Sequence, residues 1–150
     1  MNGGNGGAYL AIRVIIELTK TCDLMEDVIN RHLARFGLSQ VKFNALMQLM
    51  YAGDNGLALS ELGERMLVSR ANITGLVDRL ERDGLVYREA DPRDRRSLRA
   101  KITPEAVSLL QRVAPVHGEF TAGVLSALDR RDKETLIELL EKLQSGLSKF

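Results

Sequence analysis

The stretch LSELGERMLVSRANITGLVDRLERDGLVYREADPRDRRSLRAKIT, residues 59–103, decides the fold. It opens with two short helical segments, LSELGERM and RANITGLVDRLERD, which are separated only by residues 67–69. Ser69 is well placed to cap the second helix, and Gly84 is well placed to end it. The segments LVYRE and SLRAKI then have strand character and predict a hairpin with its turn near residues 91–96. A helix-turn-helix followed by a two-stranded loop is a winged helix.

The turn of this hairpin is crowded with positive charge. Residues 91–103, DPRDRRSLRAKIT, hold four arginines and one lysine, although the net charge of the whole chain is only +1. Residues 65–101 hold ten Lys/Arg against six Asp/Glu, and both flanking regions are mildly acidic. This local excess indicates an anionic partner that meets one surface. A solvated charged face would give the same composition and stays open as an alternative.

Helical patterns flank the winged helix on both sides. Residues 8–36 contain no proline or glycine, and their apolar residues recur every three or four positions, which predicts a helix about 40 Å long. Ser39 can cap a second helix, and residues 52–56, AGDNG, indicate a loop. Thr103 before a proline predicts a further helix. Asp129 or Asp132 then opens a leucine-rich last helix.

Composition and pattern together give the domain organisation. With 150 residues, 45% of them hydrophobic, the chain can bury one core, and no apolar run approaches the roughly 20 residues of a membrane span. Residues 1–7, MNGGNGG, lack the features of a signal peptide, so we expect a flexible leader and a cytoplasmic protein. We expect one compound domain, mainly α with a small β-wing. In it, residues 8–36 and 104–150 form a helical dimerisation region, and residues 37–103 form the winged helix-turn-helix.

Catalytic, metal and redox chemistry find little support. The chain contains no nucleophile elbow, phosphate loop or metal-binding histidine pair, so we expect neither an enzyme nor a cofactor. His32 and His117 are far apart and fit no ligand spacing, so no metal site is expected. Cys22 lies on the apolar stripe of the first helix, where a buried structural cysteine is the commoner explanation. A redox-responsive regulator acting through Cys22 is an alternative.

The winged helix has residues suited to double-stranded DNA. The major groove admits one helix, in which arginine can donate twice to guanine and asparagine can pair with adenine. Arg70, Asn72 and Thr74 lie at the N-terminal end of the second helix, and Ser69 with the helix N-terminus can bind a phosphate. A basic wing can follow the adjacent minor groove. The wing arginines with this potential role are Arg93, Arg95 and Arg96.

Residues 59–103 and their helical flanks resemble the MarR family of bacterial transcriptional regulators, named for multiple antibiotic resistance. The most specific piece is the wing, DPRDRR followed by KIT, which comes just after LERDGLV. The resemblance implies a homodimer joined through its N- and C-terminal helices that binds a pseudo-palindromic operator, usually as a repressor. It also implies a small anionic or phenolic effector, bound between the dimer helices and the winged lobe, that usually releases DNA.

Carried over residue by residue, the resemblance implies a set of DNA-binding positions. These are Ser69, Arg70, Ala71, Asn72, Thr74, Arg79, Arg93, Asp94, Arg95 and Arg96. In the family's wing pair, the acid, here Asp94, braces the arginine that enters the minor groove, here Arg96. Two departures put the turn geometry in question: Ala58 stands where members often place a capping threonine, and Leu67 replaces a frequent turn glycine. The alternative from another class is a winged helix that serves as a protein-interaction module.

Overall fold

The computed structural model describes residues 4–150, with side chains described from residue 6 onward. Within this range the chain forms six helices, three short strands and one 3-10 turn. Their bounds are α1 Gly4–Ala34, α2 Gln40–Ala52, the 3-10 turn Gly53–Asn55, β1 Leu57–Ala58, α3 Leu59–Met66, α4 Arg70–Arg82, β2 Val86–Ala90, β3 Leu98–Ile102, α5 Pro104–Val124 and α6 Arg130–Leu147. The predicted class, mainly α with a small β-wing, is confirmed.

The chain divides into two compact units, one ending at Val113 and the other beginning at Ala114. The core belongs to the first unit and is built from leucines of α1 to α4, among them Leu33, Leu46 and Leu62. In the second unit, α6 has no buried residue in the single chain. No helix in the described part of the chain combines the length and the apolar character that crossing a bilayer requires.

Helix α1 begins earlier than predicted. Residues 1–3 of the expected leader lie outside the described residues, but Gly4 to Gly7 form the first turn of α1 instead of preceding it. Extending a helix that already exists costs far less than nucleating one, so a long helix can include glycines at its start. Just beyond its other end, Gly37 has a φ of +71°, a left-handed conformation that glycine adopts without strain.

The expectation that Cys22 is buried is wrong, because its side chain is exposed. Only the C-terminal part of the apolar stripe on α1 packs into the core, through Ile29 and Leu33. Toward the N-terminus the same helix stays exposed at apolar residues such as Ile15. The stripe is continuous in sequence, but the single chain covers only its last turns.

The helix-turn-helix has the predicted bounds, and its turn accommodates both departures. Leu67 adopts the left-handed conformation, with φ 56° and ψ 40°, which glycine would adopt without strain. Its amide donates to Glu64 O at 3.2 Å, and the following amide of Val68 donates to Gly63 O at 3.0 Å. Ala58 offers no side-chain cap to α3. Its own amide instead donates to a carboxylate oxygen of Glu61 at 3.1 Å.

The sheet contains a strand that the sequence did not predict. β1 pairs antiparallel with β3, and the strand order is β1-β3-β2. A strand of two residues is too short to show an alternating pattern in the sequence, so β1 is recognised only by its pairing with β3. The approach is close because Gly56, at φ +60°, has no side chain; a Cβ there would collide with the carbonyl oxygen of Ala100. The predicted loop before it is confirmed, with a 3-10 turn inside it.

The wing strands lie within one residue of their predicted bounds. β2 and β3 pair from Val86↔Ile102 to Ala90↔Leu98, which leaves residues 91–97 as the projecting loop. Thr103 then caps α5: its Oγ1 accepts from the amide of Ala106 at 3.2 Å and donates to the carbonyl of Gly84 at 2.8 Å. The end of the wing is therefore tied directly to the end of α4.

Both aspartates considered for the start of the last helix contribute to it. The carboxylate of Asp129 accepts from the amide of Asp132 at 2.8 Å, and the carboxylate of Asp132 accepts from the amide of Asp129 at 3.2 Å. This reciprocal pair satisfies two amides that a helix N-terminus leaves without helical partners.

We predict that Leu67→Gly stabilises the fold. Leu67 is 94% exposed, so its removal loses no packing. Relief of the left-handed strain, less the extra freedom that glycine gives the unfolded chain, leaves about 1 kcal/mol, or about 3 °C in Tm. Thermal melts at equal protein concentration measure it. Leu67→Ala is the control, since it removes the same side chain and keeps the strain; equal Tm values for the two variants would contradict the prediction.

Candidate nucleic-acid interface

Helix α4 separates a buried face from an exposed one. Ile73, Leu76, Val77 and Leu80 pack into the core. The predicted contact residues of the helix and its cap are all exposed: Ser69, Arg70, Ala71, Asn72, Thr74 and Arg79. The apolar residues at helical spacing leave the opposite side of α4 to polar and small residues. The structure therefore brings these six residues to one surface.

Local hydrogen bonds decide what three of these side chains can still offer. Ser69 Oγ accepts from the amide of Asn72 at 3.3 Å, so its hydroxyl hydrogen remains free to donate to a phosphate. Thr74 Oγ1 donates to the carbonyl of Arg70 at 2.9 Å, so this hydroxyl can only accept from a partner. The Asn72 side chain forms no hydrogen bond within the described chain, and it keeps both donor and acceptor for a base edge.

Ion pairs fix α4 to the elements around it. Arg88 of β2 contacts Asp78 at 2.7 Å and Glu81 at 2.5 Å, both on α4. The hydrogen bond to Glu81 is the main cause that raises the pKa of Arg88, with desolvation opposing it. At the C-terminal end of α4, Asp83 pairs with Lys42 of α2 at 2.6 Å. Helix α4 is therefore held in place by ion pairs with both the wing strand β2 and helix α2.

The wing tip is built from two consecutive turns, each closed by an aspartate. The carboxylate of Asp91 accepts from the amide of Arg93, and that of Asp94 accepts from the amide of Arg96, both at 2.9 Å. Ser97 closes the loop with main-chain bonds to Asp91 and Asp94. Asp94 thus braces Arg96 through its backbone amide, while the Arg96 side chain stays exposed.

Arg99 anchors the base of the wing, a role that the sequence analysis missed. Its guanidinium donates to the carbonyls of Asn55 at 2.9 Å and Gly56 at 3.1 Å, and to the carboxylate of Asp91 at 2.9 Å. Asp91 is buried, and the pKa of its carboxyl is lowered first by the amide of Arg93 and then by Arg99. No spacing in the sequence connects residue 99 with a turn more than forty residues earlier.

The basic residues of the wing therefore fall into two groups. Arg99 is bound internally, and Lys101 pairs with Glu89 at 2.7 Å. Among the described residues, no ion pair involves two of the exposed arginines of α4, Arg70 and Arg79, or the wing-tip arginines Arg93, Arg95 and Arg96. The expectation that the whole crowded stretch serves an anionic partner is too broad, because only the loop arginines are available.

The helix and the wing tip share one surface. A hollow of about 350 Å³ is lined by Arg70 and Thr74 of α4 together with Arg96 of the wing. Cys22 lies on α1 and is not part of this hollow. No group of three or more His, Cys, Asp or Glu side chains suited to a metal ion occurs within residues 4–150.

The chain is similar to transcriptional regulators along most of its length. The MarR family model matches residues 36–97. The HTH-type transcriptional repressor YetL of Bacillus subtilis is 32% identical over 140 residues, which cover 93% of this chain and 84% of that protein. The HTH-type transcriptional regulator MhqR of the same organism is 29% identical and covers 93% and 95%.

Solved structures share the fold. Sco3205, a MarR family transcriptional regulator from Streptomyces coelicolor in complex with DNA, matches with a TM-score of 0.84 and 30% identity, over 95% of this chain and 89% of that one. An organohalide-sensing transcriptional regulator in its 2,4-dichlorophenol-bound form matches in fold, with a TM-score of 0.84 at 23% identity over 97% and 87%. The extent of the likeness to YetL and Sco3205 settles the family. This chain belongs to the MarR family of DNA-binding, helix-turn-helix transcriptional regulators and is not an enzyme.

Proposed function

We propose that the protein is a repressor that binds a pseudo-palindromic operator as a homodimer and releases it when a small effector binds. The observation that carries the proposal is the exposed, unpaired arginine set on α4 and the wing tip. Cations that have no internal partner and project from two adjoining elements match the phosphates of a duplex. Because Arg70 of α4 and Arg96 of the wing line one hollow, a single docked duplex can reach both elements.

The two elements take different parts of the duplex. α4 enters the major groove with its N-terminal residues, where Arg70 and Asn72 meet base edges. Ser69 and the first amides of α4 bind a phosphate. Arg96, braced by Asp94, enters the minor groove, and Arg93 and Arg95 contact phosphates beside it. These roles are proposals, supported by exposure and by the hydrogen bonds that each side chain has left to make.

The dimer proposal rests on apolar surface that the single chain leaves uncovered. Helix α1 exposes Tyr9, Leu10, Ile12, Val14, Ile15 and Ile16. Helix α6 exposes Leu136, Ile137, Leu139, Leu143 and Leu147. Contiguous apolar patches of this kind mark interaction sites on soluble proteins. A second copy of the chain covers both helices, and its two recognition helices read the two half-sites.

An effector acts by shifting a population. A ligand that prefers the arrangement of lobes in which the recognition helices do not fit adjacent grooves weakens DNA binding by its differential affinity. The structural neighbour bound to 2,4-dichlorophenol supports a small phenolic or anionic molecule as the class of ligand. We propose that the protein acts in the cytoplasm, where the DNA is.

Selection of duplexes from a random pool at two salt concentrations tests the function. An enriched inverted repeat with half-sites about one helical turn apart is expected of a dimeric operator-binding protein. Retention that falls steeply with salt and shows no enriched sequence would leave a nonspecific anion surface. That outcome would favour the protein-interaction module, whose basic wing engages an acidic partner.

Arg96→Ala is expected to weaken operator binding at least about tenfold and to lower the slope of log affinity against log salt by about one. The loss follows from one cation removed from the minor groove, and titrations at several salt concentrations measure it. Arg130→Ala removes the same charge from an exposed pair with Glu134 and should bind as the parent does. Unchanged affinity for Arg96→Ala at moderate salt would remove the wing from the mechanism.

Asn72→Ala is expected to reduce discrimination at one or two base pairs by about 1 to 3 kcal/mol. The helix cap survives, because Ser69 bonds the backbone amide of residue 72 and not its side chain. Binding to a panel of single-base operator variants measures the effect. A uniform loss across the panel would instead make Asn72 a positioning residue.

Sedimentation should show a species of twice 16.7 kDa. Ile15→Glu should shift it to the monomer, since Ile15 is 64% exposed in the single chain and its replacement leaves the core intact. Leu67→Glu, which changes an even more exposed apolar residue in the turn before α4, is the control and should remain dimeric. A parent protein that sediments at 16.7 kDa at all concentrations would refute the dimer.

A further inference from the structure

The exposed face of α4 contains a second hollow, next to residues that are proposed to contact DNA. It has a volume of about 270 Å³, and Asn72 and Arg79 are among the residues that line it. Apolar groups line the rest of it, from Val41 at the start of α2, Val68 in the turn and Ala71 on α4. This recess, with both apolar groups and two residues suited to base edges in its lining, lies where the floor of the major groove would meet the helix.

Gly75 keeps this hollow open. It lies in the interior of α4, where glycine is less favourable than any residue but proline. Its φ is not positive, so no turn requires glycine. A Cβ at this position would meet only Arg79 Nη1, at an ordinary 3.5 Å, so no contact within the described chain excludes alanine. Glycine therefore lowers the stability of the helix at this position, and the described chain does not fill the space that the missing side chain leaves.

The chemistry of the recess identifies that group. In the major groove, base edges present hydrogen-bond donors, acceptors and a single apolar group, the 5-methyl of thymine. We propose that the hollow over Gly75 receives a thymine methyl next to the base read by Asn72, which makes Gly75 a specificity-determining position. The inference rests on the proposed operator binding and names one base that the operator must contain in each half-site.

Replacing thymine by deoxyuridine tests the proposal, because it removes the methyl and leaves every hydrogen-bonding group in place. Each thymine of the selected operator is replaced in turn, and affinity is measured for the parent protein. One thymine in each half-site should lose about fourfold in affinity, the value of one buried methyl. Thymines outside the half-sites serve as controls and should tolerate the replacement.

Gly75→Ala separates recognition from folding. Its Cβ enters the hollow, so binding to the thymine operator weakens, and the ratio of thymine to deoxyuridine affinity falls from about four to about one. The same substitution improves helix propensity and should raise Tm by about 3 °C. A residue with a merely structural role would not lose methyl discrimination while the fold gains stability.

The outcomes distinguish a failure of this inference from a failure of the proposed function on which it rests. A selected half-site in which no deoxyuridine replacement changes affinity, or which contains no thymine, overturns the methyl pocket and leaves operator binding standing. A Gly75→Ala protein that keeps the fourfold ratio overturns the role of Gly75. No enriched sequence at all overturns both the inference and the proposed function.

Discussion

The placement of the wing depends on one guanidinium. Arg99 joins its own strand to the carbonyls of Asn55 and Gly56, more than forty residues earlier, and to the buried carboxylate of Asp91 at the start of the wing loop. Its planar fork suits this task, since lysine presents a single point charge and cannot reach two carbonyls and a carboxylate in fixed directions. Because Asp91 is buried, removing Arg99 would leave this carboxylate without its guanidinium partner and would lower the stability of the fold. The wing loop starts from Asp91, so the direction of its arginines follows from this contact.

The sequence predicted the helix-turn-helix to within a residue because its signals are local. Ser69 bonds an amide three residues away, and Gly84 relieves strain at its own position. The missed features are long-range. β1 exists only through its pairing with β3, and Arg99 reaches the turn at Asn55 across 44 residues. Leu67 shows the reverse case, in which local preference and structure disagree. The turn hydrogen bonds and the packing of α3 against α4 impose the left-handed conformation, and nothing in the structure explains why leucine occupies the site.

Charge composition predicted the anionic partner but could not assign its residues. An arginine that holds the fold and an arginine that meets DNA look identical in a sequence. In the structure the difference is one of partners: Arg88 and Arg99 each contact carboxylates, whereas the arginines of the wing tip contact none among the described residues. The same distinction separates the aspartates. Asp91 and Asp94 lower the net charge of the wing, yet each orders a backbone amide in the loop that presents the arginines.

These contacts order the backbone of the proposed DNA-binding surface before any duplex binds. α4 is held by Arg88 and Lys42, and the wing loop is held by Arg99 and two aspartate turns. Binding then has to restrict mainly long arginine side chains, at about 0.5 to 1.5 kcal/mol each, and not the backbone that carries them. The flexible arginine side chains of the wing can bind phosphates and the negative potential of the minor groove, because both interactions tolerate small displacements of the cation. Base edges do not tolerate them, so in the proposed complex discrimination depends on short side chains of the rigid helix, such as Asn72, and on the space that Gly75 leaves beside it.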